Sequence, residues 1–213
     1  VLAHTQDTKW YEVGQRDGKP DMVGHVVCEK KMNFGGGVGD VNGDGRIDIV
    51  RPDAWFEAPE DIRGGAWKEH PLALGAAEEG KADHTPQIAV YDVDGDGLND
   101  LITSSAHKYG IWWYQQKRED DAILWVRHDI DTSWSQPHSI SLVDIDQDGD
   151  MDFATGKRFY AHNGGDPGAE EPLGVYWYEL RRRRGNVRWV KHEISYDSGV
   201  GAGMDIPVAD IDL

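Results

Sequence analysis

Three acidic nonapeptides recur along the chain: DVNGDGRID at Asp40–Asp48, DVDGDGLND at Asp92–Asp100 and DIDQDGDMD at Asp144–Asp152. A fourth opens as DID at Asp210–Asp212. Positions 1, 3, 5 and 9 of each complete copy offer side-chain oxygens: Asp40, Asn42, Asp44 and Asp48; Asp92, Asp94, Asp96 and Asp100; Asp144, Asp146, Asp148 and Asp152. Position 7, held by Arg46, Leu98 and Asp150, would contribute only its backbone carbonyl, so its side chain is free to vary. A flexible all-oxygen loop suits Ca²⁺, which takes roughly six to eight oxygen ligands, better than octahedral Mg²⁺. Gly45, Gly97 and Gly149 stand where the chain must turn sharply. An EF-hand would need a bidentate Glu at position 12 between two helices. Arg51, Thr103 and Thr155 stand there instead, with β-type flanks. The expectation is three complete calcium sites and a truncated fourth at Asp210 and Asp212.

The elements that must carry these loops repeat with them. The first aspartates Asp40, Asp92 and Asp144 are 52 residues apart, and Asp210 follows after 66, the excess falling in the Gly/Pro-rich stretch Tyr160–Pro172. An apolar run precedes each later loop: Gln87–Tyr91, Ser139–Val143 and Ile206–Ala209. A β-type run follows each complete loop: Ile47–Val50, Leu101–Ser104 and Phe153–Thr155. Next comes an aromatic strand, Ala54–Glu57, Ile111–Gln115 or Val175–Glu179, and then a strand carrying Trp-x-x-His: Trp67/His70, Trp125/His128 or Trp189/His192. No long stretch has a helical period, so the reading is all-β. Four short strands per unit, repeated, predict a β-propeller of four-stranded antiparallel blades.

The units are placed at about 34–72, 85–130 and 138–194 of a single segment covering 1–213. Residues 1–33 are read as the end of a preceding blade, with Lys9–Val13 as its fourth strand. Residues 203–213 are read as the first strand of a following one. Closing a ring takes about four to eight blades, so the remaining blades are expected from the rest of a parent protein or a partner chain. The Trp-x-x-His pairs are read as packing, with Trp between sheets and His near the rim.

Composition removes several function classes. Net charge is −17, which argues against a nucleic-acid partner because phosphate binding needs a basic face. No apolar run is long enough to cross a bilayer. No secretion signal is present at Val1, so an export signal is expected outside this sequence. One cysteine, Cys28, excludes an intrachain disulfide framework and is read as a small buried hydrophobe.

The D-x-[DN]-x-D-G-x-x-D loops resemble those of the FG-GAP/VCBS repeat family, which includes integrin α-subunit propellers and many secreted bacterial proteins. Phe34–Gly35 is present, but no Gly-Ala-Pro follows it. The resemblance implies a seven-bladed propeller, calcium held between strands one and two of a blade, and an extracellular or periplasmic setting. It does not imply one function, because a fold hosts many.

In a four-stranded meander the 1–2 and 3–4 connections share one face, and the 2–3 and 4–1 connections share the other. The acidic loops therefore fall on a lower face with the Arg181–Arg184 run, a solvated hairpin tip. The upper face collects His25, His84, Gln87, Gln136 and His138 from 4–1 connections, with Asp53 and Asp166 among residues from 2–3 connections. Catalytic candidates are His84, His107, Tyr109, His138, Lys157 and His162. Histidine or tyrosine would move a proton while a cation holds enolate-like charge. Ligand-binding candidates are Arg51, Lys108, Arg158 and Tyr160, whose cations and rings suit an anionic or polyhydroxylated ligand. The expected function is a calcium-binding recognition or scaffold module for carbohydrate or protein. The alternative is a carbohydrate-active lyase or dehydratase, and integrin-like adhesion is a narrower third. No Ser/His/Asp constellation, zinc-protease motif or phosphate-cradling loop is found.

Overall fold

The computed structural model describes residues 2–3, 7–31, 35–75, 80–120, 122–183 and 185–211. These form antiparallel sheets whose strands run in sequence order. The first sheet has three strands, β1 (Leu2–Ala3), β2 (Thr8–Arg16) and β3 (Lys19–Cys28). The second has β4 (Gly37–Gly39), β5 (Asp48–Val50), β6 (Ala54–Glu57) and β7 (Lys68–Pro71). The third has β8 (Ile88–Tyr91), β9 (Asp100–Ser104), β10 (Tyr109–Glu119) and β11 (Ala122–Ser135). The fourth has β12 (Pro137–Val143), β13 (Asp152–Lys157), β14 (Gly174–Arg183) and β15 (Asn186–Tyr196). The one helical element among the described residues is a 3₁₀ turn at Ala161–Gly164.

Alternation of side chains along each strand makes both faces of the middle strands apolar, and this drives the sheets to stack. In β6, Trp55 joins Val41, Val50, Ile88, Leu101, Trp112 and Tyr114 between the second and third sheets. Its neighbours Ala54 and Phe56 turn the other way, joining Ile49 against Trp10, Val27 and Cys28 of the first sheet. In β10, Ile111 and Trp113 face away from Trp112 and pack with Ile140, Phe153, Tyr176 and Tyr178 of the fourth sheet. Each apolar cluster thus lies between consecutive sheets, where full burial of such a side chain contributes about 1.5–3 kcal/mol.

The inner strands lie side by side. Gly36 bridges Gln87 in parallel, and a Cβ on Gly37 would sit 1.8 Å from the Ile88 carbonyl oxygen. The glycine-rich run at 35–39 is what lets two inner strands approach this closely. Stacked meanders with adjacent inner strands are propeller blades, as the repeat predicts.

Two expectations about strand phase are corrected. Lys9–Val13 lies within β2, paired to β1 on one side and β3 on the other, so it is a third strand and not a fourth. Ile206–Ala209 forms no strand, and no described strand pairs with it. A strand with no neighbour on either side leaves its backbone N–H and C=O groups without a ladder.

The Trp-x-x-His reading holds for the tryptophans, since Trp67, Trp125 and Trp189 pack against the clusters between the sheets, and is revised for the histidines. Each strand-four histidine stacks on the strand-three tryptophan directly across the ladder: His25 on Trp10, His70 on Trp55, His128 on Trp113 and His192 on Trp177. Ring centroids lie 4.0–4.4 Å apart. The acid or amide two residues after the tryptophan faces the same imidazole. Glu57 is 2.8 Å from His70, Gln115 is 3.2 Å from His128, and Glu179 is 2.7 Å from His192. Glu12 is 3.7 Å from His25. Recurrence of this trio in β2–β3 identifies those strands as three and four of a blade. It also removes His25 from the upper face.

Candidate functional site

The acidic loops join strands one and two of their blades and fold around their own first carboxylate. Asp40 accepts N–H bonds from Gly43, Asp44 and Gly45 at 2.8–3.0 Å. Asp92 does the same for Gly95, Asp96 and Gly97, and Asp144 for Asp148 and Gly149. These local bonds are the turn chemistry of aspartate. They curl the loop so that Asp92, Asp94 and Asp96 bring ligand atoms within 4.8 Å of one another, as do Asp144, Asp146 and Asp152. The donors are all oxygen, and the cations near them are side chains. Arg46 meets Asp44, Lys117 lies near Asp94 and Asp96, and Arg182 meets Asp150. In the incomplete fourth copy Asp210 is exposed, and Asp212 lies outside the described residues.

The ninth-position aspartates carry a second duty that spacing does not reveal. Asp48, Asp100 and Asp152 are fully buried. One oxygen of each accepts the amide of loop position 2: Val41, Val93 or Ile145. The other accepts an amide leaving strand three: Ala58, Gln116 or Leu180. Asp100 also receives the Trp113 indole N–H at 2.8 Å. Burial pushes all three carboxyls up, against the pull of those amides, and Asp100 reaches about 6.

Neighbouring blades clamp these loops. Asn99 donates to the Asp40 carbonyl, Gln116 to the Val41 carbonyl and Arg118 to the Asn42 carbonyl. One blade further on, Arg182 reaches the Asp92 carbonyl and the Tyr91 hydroxyl while gripping Asp150. Arg182 therefore belongs to a contact between blades and is not part of a solvated tip. Arg181 pairs with Glu179, and Arg184 lies outside the described residues.

On the opposite face three connections and the start of β12 converge. His84 precedes β8, His107 lies between β9 and β10, His138 is on β12, and His162 is in the 3₁₀ turn of the long β13–β14 connection. His107 is central, its ring centroid 4.8 Å from His84, 6.1 Å from His138 and 4.6 Å from His162. Asp166 ties this group together. One of its oxygens is 3.1 Å from His107 Nδ1, the other is 2.9 Å from His162 Nδ1, and Arg158 donates to it at 3.2 Å. Burial pushes the Asp166 carboxyl up, but bonds to His162 and His107 bring it below its usual range. Burial lowers His138 to about 4, with Arg158 adding to the effect, so that imidazole is neutral over most of the pH range. Burial and the neighbouring His107 lower His84 as well. A pocket of about 200 Å³ opens beside them, lined by His84, Thr85, Gln87, His107, His138 and Met204.

Other candidates fall beside the pocket or away from it. Lys157 is 1% exposed, its ammonium 2.5 Å from Ser135 Oγ and 3.7 Å from Glu171, and burial lowers its pKa. Tyr109 donates to the other Glu171 oxygen. Lys108 extends to Asp83 at 2.7 Å. Tyr160 is exposed in a left-handed conformation at φ 43°. Arg51, expected at the ligand site, is fully buried: Asp53 binds its fork at 2.8–3.0 Å, and Nη1 donates to Thr8 Oγ1 and to the Lys30 carbonyl. It joins the first two sheets and does not reach the mouth. Asp83, Ser135 and Glu171 were not singled out from sequence, because only the folded chain brings them to their cationic partners.

No helix among the described residues is long and apolar enough to cross a membrane. No curated protein matches the chain. The family profile described as an FG-GAP-like repeat matches residues 92–155, from the first aspartate of the second acidic loop into β13. With two of the acidic loops and the blade strands between them inside that match, the chain carries an FG-GAP-like repeat.

Proposed function

We propose that this chain is a calcium-stiffened propeller recognition module acting outside the cytoplasm, with its ligand site on the face opposite the acidic loops. Asp40, Asn42, Asp44 and Asp48, with the Arg46 carbonyl, would hold one ion. Asp92, Asp94, Asp96 and Asp100, with the Leu98 carbonyl, would hold a second. Asp144, Asp146, Asp148 and Asp152, with the Asp150 carbonyl, would hold a third. The all-oxygen donor set and loops already curled by Asp40, Asp92 and Asp144 support calcium. When bound, the ion supplies charge neutralisation and a fixed loop.

The observation that carries the ligand site is the inventory of buried polar side-chain atoms without a hydrogen-bond partner. Among the described residues there are nine such atoms, and six of them, Thr85 Oγ1, Gln136 Oε1, His138 Nδ1, Ser139 Oγ, Thr155 Oγ1 and Arg158 Nε, belong to the inner or upper part of the last two blades, the others being Trp10 Nε1, His25 Nε2 and Trp189 Nε1. Buried polar groups are nearly always satisfied, so such a concentration suits a ligand rich in hydroxyl or carboxylate groups. Carbohydrate is the ligand class we favour over protein. The test is retention of the calcium-loaded protein on immobilised uronic-acid and neutral glycans. Retention weakened by Arg158→Ala and by His107→Ala supports the reading, and no retention on any glycan overturns it.

One further group favours a lyase or dehydratase as second reading. Lys157, Tyr109 and Glu171 form a connected acid–base set next to the histidines. Appearance of an ultraviolet-absorbing unsaturated product, lost in His162→Ala, would establish it. Binding without turnover rejects it.

A further inference from the structure

We propose that His107, His162 and Asp166, completed by His138, form a binding site for a first-row divalent transition ion, chemically separate from the calcium loops. Ligand atoms of the first three lie within 4.8 Å of one another. Two imidazoles and one carboxylate are a nitrogen-rich set, which suits zinc, iron, nickel or copper and which calcium disfavours. The acidic loops contain no imidazole, so the two kinds of site would sort ions by donor type.

Two connections and strand β12, which carries His138, build this constellation. The β9–β10 turn supplies His107, and the long β13–β14 connection supplies His162 and Asp166. His162 is held at φ 50° and its neighbour Asn163 at φ 54°. A non-glycine residue there is unfavourable, and such geometry persists only where the surroundings demand it. This conformation keeps the exposed His162 ring stacked on His107 and its Nδ1 on Asp166.

His138 provides the independent observation. It is 7% exposed, its Nδ1 has no hydrogen-bond partner, and its ring lies 6.1 Å from that of His107. A buried imidazole normally satisfies both nitrogens, and a metal ion would accept the remaining lone pair. A cation already marks the position. The Arg158 Nη2 atom is 3.2 Å from both His107 Nδ1 and Asp166 Oδ2, while its Nε is buried and unpartnered. The guanidinium would move aside as an ion entered, and the pocket lined by His84, His107 and His138 would leave a coordination position open to a ligand oxygen.

The test titrates Co²⁺, then Zn²⁺, into the protein with calcium held in excess. Visible absorption reports cobalt, and calorimetry reports zinc. The expected result is one cobalt per chain with a ligand-field band that zinc displaces. His107→Ala, His162→Ala and Asp166→Asn should each abolish the band, while Asp96→Asn in an acidic loop leaves it intact. Because Asp166→Asn could loosen the long connection, exposed His162 is the decisive position, with thermal melting as the folding control. Absence of a band, a band retained in His162→Ala, or a band lost in Asp96→Asn would overturn the site.

Discussion

At the residue scale, aspartates that look equivalent in the repeat do two different jobs. Asp96, at position 5, faces solvent and touches its own loop, whereas Asp100, at position 9, is buried under two backbone amides and an indole N–H. Removing a buried acceptor leaves its donors unsatisfied, at about 1–3 kcal/mol each. Asp100→Ala should therefore destabilise the chain by 3 kcal/mol or more, by the same reasoning. The loss should persist with chelator, and calcium should widen it because Asp100 is also a proposed ligand. Asp96→Ala should lower stability only when calcium is present. Urea denaturation of both variants in the two buffers checks this, and an Asp100→Ala loss that disappears with chelator would contradict the division of labour. The loops were legible in sequence because their bonds run between residues two to five apart. The buried role of position 9 was hidden, since half of its partners come from strand three.

At the element scale, the blades are latched by polar networks that no local pattern reports. Asp131 on β11 accepts the Tyr178 hydroxyl of β14 at 2.6 Å and pairs with Lys191 of β15 at 3.0 Å, and Trp134 donates to the same group. Its partners are 47 and 60 residues away in the chain, so Asp131 reads in sequence as one more polar strand residue. The same distance hid the fate of Arg51, which looked like a mouth residue until its partners on the first sheet were visible. Strand phase suffered similarly: Lys9–Val13 carries strand-three chemistry in Trp10 and Glu12, but its cross-strand histidine was needed to show it. Burial alone would raise the Asp131 carboxyl, yet the bonds from Ser133, Tyr178 and Lys191 bring it down to about 2. The folded chain therefore holds this proton less tightly than the unfolded chain, whose carboxyl titrates near the usual 3.8. The stabilisation, about 2 kcal/mol, is complete above that value and withdrawn as pH falls toward 2. Asp131→Asn should lower stability at pH 7 by at least this amount and flatten the acid limb of the stability profile. An unchanged acid limb in denaturation measured from pH 7 to pH 2 would show that the latch carries no such weight.

For the whole molecule, charge and connectivity bear on the same experiment. The net charge of −17 is concentrated where three carboxylate-rich loops lie on one face. Repulsion there disfavours the compact state. The loops are also mechanically joined, because Arg118 holds the Asn42 carbonyl and Arg182 holds the Asp92 carbonyl along with Asp150. A cation entering one loop therefore fixes an element that braces the next, and the blades should respond together. An ion at about a hundred times its dissociation constant adds about 2.7 kcal/mol per site. With the three proposed sites filled, the calcium-loaded chain should melt well above the chelated one in a single cooperative transition. Magnesium should substitute poorly, and raising ionic strength should narrow the difference by screening the loops. Arg182→Ala should divide the transition or lower the calcium response of the second loop without touching a proposed side-chain ligand. Differential scanning calorimetry with calcium, magnesium and chelator decides the matter. Identical melting curves would mean that the loops are acidic turns braced by side chains of the neighbouring blade alone, and the propeller would then derive its stiffness from the apolar faces between its sheets.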